Sequence, residues 1–502
     1  AEGISPHSRS RSGTRFPSPT PDGAVLAISL SKESQLLNNS TDLKFEAKGS
    51  NLVVYAGFPS ALARCLALEG DYIQDKQFIS TFLNTYRLFM SGPTELFLNL
   101  KNRYEYANKM EDVSRAAFLK LRVINVFKRW IFLHPEEFRE DDELSASLDK
   151  WAEELQQEGG KASGWAESLN DWRRAAIEPR TFRSLGEPVE PDYPKHLKDK
   201  IILADDMLDI PPEEIARQLT LIDWRLFSAI HYTELLKKKW SGPNKDTEAH
   251  NTVEMINRFN KVAFWVLSDI LRHNDVKMRA RALKYHINVM MHMRNMNNFN
   301  GVMVYYSAFN NTCLTRLQQT WKELSSKKSN ALKEIGHLLS SQQNNKVYRD
   351  ALLNATPPVI PIISISLSDL TFIDENADTD ADGMVNWEKM CMVGKVIERI
   401  QHCQSTQYNI IPVPEILHLL TDNMFVLSEK RLYEQSKLLE PSAGAAVSAT
   451  AASAAPAAPA DLSNSTEMPK GAGGGLKRQT SWLGGLRRKR IISTKEGKDT
   501  KD

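Results

Sequence analysis

The stretch VKMRARALKYHINVM, residues 276 to 290, decides the class of fold. Val276, Ala280, Leu283, Ile287 and Met290 recur at steps of four, three, four and three, which puts them on one stripe of a helix with 3.6 residues per turn. Arg279, Arg281 and Lys284 lie away from that stripe. Upstream, Ile256, Phe259, Ala263 and Val266 repeat the pattern, and both stripes read first as core packing. Pro211 and Pro212 followed by Glu213 and Glu214 supply a helix start, because the first amides of a helix have no partner to lose and acidic side chains suit its positive end. Alternation of period two is scarce along the chain, so the expected fold is all-α.

An earlier helical texture begins near Leu52. Phe78, Phe82, Leu83, Tyr86 and Phe89 share one face, and Val123, Phe127, Trp130 and Ile131 share another. That pattern ends near Leu155, where QQEGGKASGWAESLNDWRR (156–174) carries Gly159, Gly160 and Gly164 and predicts a connection of low order. The expected organisation is a disordered Ser/Arg/Pro-rich segment at 1–47, a first helical domain at 48–158, a connector at 159–207, a second helical domain at 208–437, and a linker with a basic tail at 438–502. The opening SPHSRSRSGTRFPSPTPDG (5–23) has too little apolar surface to offset the entropy of ordering. GAAVSATAASAAPAAPA (444–460) is too weakly apolar and too interrupted by proline to span a membrane, and reads as a flexible linker.

Among 502 residues, 64 are Lys or Arg and 62 are Asp or Glu, so no global field draws nucleic acid to this chain. Electrostatic partners must be sought in local clusters. Cys65, Cys313, Cys391 and Cys403 match no zinc or redox spacing and read as reduced thiols of a cytosolic protein. The first residue is Ala rather than Met, as in a fragment or a processed chain, and residues 1–25 lack the apolar run of a signal peptide. HExxH, GxSxG and a complete Walker sequence are absent; GAGGGLKRQ (471–479) has Leu476 where the Walker glycine belongs, which argues against covalent chemistry.

DTDADGMVNWEK, Asp378 to Lys389, poses a separate question. Asp378, Asp380, Asp382, Gly383 and Val385 suit positions 1, 3, 5, 6 and 8 of a calcium-binding EF-hand loop. Position 12 requires a bidentate glutamate and holds Lys389, whose ammonium would repel a cation. Two readings follow from the residues: a degenerate calcium loop, or an acidic turn that stays in solvent or steers toward a basic surface.

Three further blocks, PPEEIARQLTLIDWRLFSAIH (211–231), NNFNGVMVYYSAFNNTCLTRLQQTW (297–321) and PPVIPIISISLSDLTFIDEN (357–376), closely resemble the catalytic domain of Ras-type guanine-nucleotide exchange factors. RVINVFKRWI (122–131) resembles the Ras exchanger motif that accompanies it, and DGMVNWEKM (382–390) the corresponding stretch of Rap-directed members. The resemblance covers roughly Leu52 to Ser436. It implies two helical domains, a helical hairpin protruding just after Pro361, and insertion of that hairpin into a Ras-family small GTPase, Ras or Rap, to release GDP without covalent chemistry. No cofactor and no metal ion are implied.

The same resemblance places residues. Ile256, Met303 and Ile362 stand where the family presents an apolar patch to the second switch region, flanked by Met255 and Asn257, with Asn310 as a polar contact. Thr371 stands where some members carry a leucine that occludes the magnesium site, and Glu375 matches the family's acidic residue near the phosphates. Thr371 fills less volume than leucine, which implies weaker exclusion of magnesium. Asn376 stands where glycine is frequent and tolerates a left-handed backbone. Each residue also has a plainer reading: the apolar trio as core, Glu375 as a solvated charge, Asn310 as a helix cap.

The tail LKRQTSWLGGLRRKRIISTK (476–495) gathers Lys477, Arg478, Arg487, Arg488, Lys489, Arg490 and Lys495 with no acid, interleaved with Trp482, Leu483, Leu486, Ile491 and Ile492. Basic residues contribute about 1 kcal/mol each at an anionic membrane, so the tail reads as a device that recruits a cytoplasmic protein to the plasma membrane. Arg478 suits a basophilic kinase acting on Ser481, where phosphate would oppose lipid binding. Solubility or nuclear import is the alternative. For the chain as a whole, a calcium-responsive module and a catalytically silent GTPase-binding scaffold stand as rivals to the exchange factor.

Overall fold

The computed structural model describes residues 28–29, 41–48, 51–68, 76–177, 187–188, 190–197 and 204–441. The expectations for the 1–25 segment, the 444–460 linker and the basic tail with Arg487, Arg488, Lys489, Arg490 and Ser481 lie outside these residues. The fold is all-α apart from one small antiparallel sheet. Strand β3 (Asn51–Gly57) is its centre: it pairs with β2 (Leu43–Lys48), with β1 (Ile28–Ser29) at Leu52 and Asn51, and with β4 (Val385–Asn386) at Ala56 and Gly57. Two corrections follow. Ordered structure begins within the segment expected to be disordered, and strands exist where none were expected.

The first domain follows the sheet. Helices Lys76–Thr85, Pro93–Ala107, Val113–Leu133 and Asp142–Glu158 surround a core in which Phe78, Phe82, Tyr104, Phe127, Trp130 and Trp151 are all buried. Its rings meet mostly edge to face, as at Phe97–Trp151 and Tyr104–Trp151, the geometry their quadrupoles favour. The glycine-bearing segment after Leu155 is corrected too. It forms a helix, Lys161–Ile177, whose Ala162, Ala166 and Leu169 are buried against the rest of the domain. Gly159 and Gly160, at φ of +75° and +58°, make only the turn between the two helices, a conformation costly for any residue with a Cβ.

The second domain is built around the helix that opened the sequence reading. In Val276–Asn295, capped by Asp275 accepting from the Met278 amide, Ala280, Leu283, Ile287 and Met290 are buried as expected. Arg279 is not on the outside. It is fully buried, and its guanidinium donates to Thr320 Oγ1, the His273 and Asn274 carbonyls and the Glu440 carboxylate at 3.1 Å. Glu440 in turn shows that the packed body runs past the expected boundary at 437. The helix start at Pro212 is as expected, although Glu214 is buried rather than solvated and accepts from Gln218 and Arg217.

The domains meet at a buried carboxylate. Glu137 of the first domain accepts from Tyr86 Oη at 2.8 Å, Trp130 Nε1 at 2.6 Å and Arg87 Nε at 2.8 Å, and from Tyr232 of the second. Beside it, His231 Nε2 lies 2.5 Å from Glu136 Oε1, and the His134 ring stacks on Tyr232. Burial alone would raise the Glu137 carboxyl, but the charges of His134 and Arg87 and the hydrogen bonds from Tyr232 and Arg87 outweigh it, and the net shift is downward. A carboxyl depressed in the folded state adds stability that is complete above its ordinary value of 4.5 and drains away as the pH falls below it. The urea midpoint is therefore expected to fall steeply in acid. Glu137→Gln should lower it at neutral pH and flatten the acid fall; an unchanged acid slope would refute the assignment.

Candidate functional site

Pro361 ends an extended entry, and Ile362 begins a helix at Ile363–Ile373. A tight acidic turn leads back through β4 into a second helix, Trp387–Cys403, capped by Asn386 Oδ1 accepting from the Lys389 amide. The expected hairpin thus exists and starts where the sequence placed it. Its root is braced by Arg349, whose guanidinium forks onto Asp369 with both contacts at 2.8 Å, and by the Ile362 amide donating to Tyr348 Oη at 2.7 Å.

The second hairpin helix belongs to both cores. Trp387, Met390 and Cys391 pack into the first domain, whereas Val393, Val396, Ile397 and Ile400 pack into the second. Trp387 is fully buried, its ring centroid 4.5 Å from that of Phe78 and 6.1 Å from that of Phe82. Gln77 reaches Glu398 at 2.6 Å, and Asn84 and Gln401 exchange side-chain hydrogen bonds. Gly394 lies against Thr81, where an added Cβ would come within 3.1–3.2 Å of Thr81 atoms. The first domain therefore fixes the attitude of the hairpin.

At the tip, the aspartates of the candidate calcium loop are held by lysines. Lys389 Nζ, on a side chain only 3% exposed, contacts Asp378 Oδ1 at 2.6 Å, the Asn376 carbonyl at 2.7 Å and Asp374 Oδ1 at 3.5 Å. Lys44 from β2 bridges Asp380, at 2.6 Å, and Asp382. These hydrogen bonds raise the Lys44 ammonium well above its ordinary value and hold Asp380 below its own. Gly383, at φ of +76°, makes the sharp turn that an EF-hand also uses, but the aspartates that would ligate a metal are each paired with an ammonium group. Among the described residues no cluster of His, Cys, Asp and Glu is arranged to hold a metal ion.

The candidate residues divide into two groups. Ile256 and Met303 are half-buried on neighbouring helices, His250–Leu271 and Phe299–Phe309, with Asn257 exposed beside Ile256. Of the stripe assigned to the core by periodicity, Val266 is fully buried, whereas Phe259 and Ala263 are half-buried on the same face as Ile256; the inward face is made by Met255, Val262 and Trp265 with Val266. Met255 and Ile362 are corrected: both are fully buried in the second core and present nothing to a partner in this conformation. Asn310 is exposed and caps its helix, donating Nδ2 to the Tyr306 carbonyl at 2.8 Å. Thr371 is half-buried, its hydroxyl donating back to the Leu367 carbonyl, so its methyl group is the part left to contact a partner. Glu375 is exposed next to Phe372, which is 61% exposed.

Two helical domains, with a helical hairpin that begins just after Pro361, are the arrangement that the resemblance implied. Residues 54–151 match the RasGEF N-terminal motif and residues 214–391 the RasGEF domain, together more than half of the chain. The chain belongs to the Ras-type guanine-nucleotide exchange factor family. Ras guanine nucleotide exchange factors A and J of Dictyostelium discoideum are 32% and 34% identical over 391 and 388 residues, 74% and 75% of this chain. Ras-specific guanine nucleotide-releasing factor 1 of Mus musculus is 32% identical over 326 residues, 64% of this chain. The chain spans 63%, 47% and 25% of the lengths of these relatives.

In this exchange-factor family member, sequence reasoning missed Phe259, Phe372, Lys44 and Lys238. Phe259 was visible only as part of a stripe, and Lys44 meets its partners from the far end of the chain. Lys238, in a left-handed turn at φ of +52°, reaches Asp374 Oδ2 at 3.0 Å and had no sequence signal at all.

Proposed function

We propose that this chain promotes GDP release from a Ras-family small GTPase, Ras or Rap, by inserting the hairpin between the first switch loop and the nucleotide. The observation that carries the reading is the exposed Phe372–Glu375 edge on a hairpin held from both domains. A GTPase binding its nucleotide at picomolar strength gains about 16 kcal/mol, and an exchange factor offsets this by binding the empty GTPase more tightly than the loaded one. Ile256, Phe259 and Met303 supply a docking surface present in both states. The differential part is assigned to Glu375, whose carboxylate repels phosphate and pairs with the basic group that the phosphate vacates. The Thr371 methyl group excludes water near the magnesium site, with less bulk than a leucine.

Release of fluorescent GDP from a panel of Ras and Rap proteins tests this. Acceleration for at least one member, and a slower rate for Glu375→Ala, are expected; no acceleration for any member would refute it. We also infer that the basic tail brings the chain to anionic lipid. In the same assay with lipid-anchored GTPase on phosphatidylserine vesicles, a chain ending at Ser442 should lose rate relative to the full chain, and equal rates would remove the membrane role.

A further inference from the structure

Between Asp374 and Asp382 the turn carries five carboxylates: Asp374, Glu375, Asp378, Asp380 and Asp382. Four of them face an ammonium group. Asp380 and Asp382 share Lys44, Asp378 meets Lys389, and Asp374 lies between Lys238 and Lys389. Glu375 alone among the five has no side-chain partner among the described residues, and it is exposed.

Lys389 differs from the other two lysines. Lys44 and Lys238 are 29% and 38% exposed, whereas the Lys389 side chain is 3% exposed. An ammonium has three donors and must satisfy them all when buried. Here the acceptors are one carboxylate on each side of Glu375 and the carbonyl of Asn376, the residue that follows it. The backbone from Asp374 to Asp378 is thus wrapped around a single internal cation, with Glu375 on the outside of the wrap.

We propose that Lys389 is a positioning residue for nucleotide release: its buried ammonium shapes the turn so that Glu375 is the one carboxylate aimed outward and uncompensated. The proposal rests on the exchange-factor reading above. Without the ammonium, Asp378 loses its cation and Asp374 keeps only the more exposed Lys238, so the turn is no longer tied across Glu375 and Glu375 loses its fixed direction.

The test measures maximal GDP release and the exchange-factor concentration giving half-maximal release, for Lys389→Met, Glu375→Gln and the double variant. Lys389→Met is expected to lower the maximal rate about tenfold, as loss of an orienting partner typically does, with half-saturation within about twofold of the unaltered chain. In the Glu375→Gln background the same change should cost less than about twofold, because its route of action is already gone. Equal losses in both backgrounds, or an unchanged rate, would overturn the positioning role while leaving the exchange activity intact. No release by the unaltered chain would overturn the exchange reading and this proposal with it. Should Lys389→Met fail to fold, Asp378→Asn, at a half-exposed side chain, is expected to give a smaller loss that again vanishes in the Glu375→Gln background; persistence there would refute the proposal.

Discussion

Trp387→Ala is expected to destabilise the chain by about 3–5 kcal/mol and to slow GDP release in the fraction that remains folded. Trp387 sits at the start of the second hairpin helix, fully buried between Phe78 and Phe82 of the first domain. Its indole Nε1 has no hydrogen-bond partner among the described residues, so truncation removes packing and leaves a cavity without stranding a polar group there. The loss falls on the contact that holds the hairpin to its support, which is why rate and stability should decline together. Trp387→Phe keeps most of the ring and should recover most of both. Urea unfolding followed alongside GDP release checks this; a loss under about 1 kcal/mol would mean that the hairpin is held mainly by its root.

The second large effect concerns docking. Ile256→Glu and Met303→Glu should each weaken association with the GTPase by about 2 kcal/mol or more, near thirtyfold, as expected for a central apolar anchor replaced by a charge. Both side chains are half-buried on the face shared by the His250–Leu271 and Phe299–Phe309 helices, so the folded chain should tolerate them. The signature is a raised half-saturating concentration with little change in maximal rate, opposite to that of Glu375→Ala. Unchanged half-saturation for both variants would displace the docking face. Ile362 offers no such test, because it is fully buried and a charge there would act on folding.

Helical class and domain order were legible because long periodic stripes dominate, as in Val276–Asn295. Which stripe faces inward was less so. On His250–Leu271, two apolar faces lie side by side: Met255 and Val262 turn to the core while Ile256 and Phe259 remain half-open, and periodicity does not rank them. Arg279 defeated the pattern for a different reason, since its burial depends on Thr320 and Glu440, which no local window contains, as well as on the nearby His273 and Asn274 carbonyls. The Lys161–Ile177 helix escaped because its inward residues include the small Ala162 and Ala166, next to a pair of glycines. Lys389 was noticed, but as a defect in a calcium loop. Its meaning required three oxygens that converge only in the folded turn. Glu375 was placed by family wording, since an exposed glutamate carries no physical signal of its own.

The contact between Gly394 and Thr81 sets the pitch of the hairpin like a shim of zero thickness. Because the seventeen-residue helix bearing Gly394 follows directly on the turn that carries Glu375, a single methyl group inserted there would press on Thr81 and shift the seat of the hairpin. The seat of the hairpin is thus adjustable from behind, at a glycine seam set between the two domains rather than at the exposed edge itself.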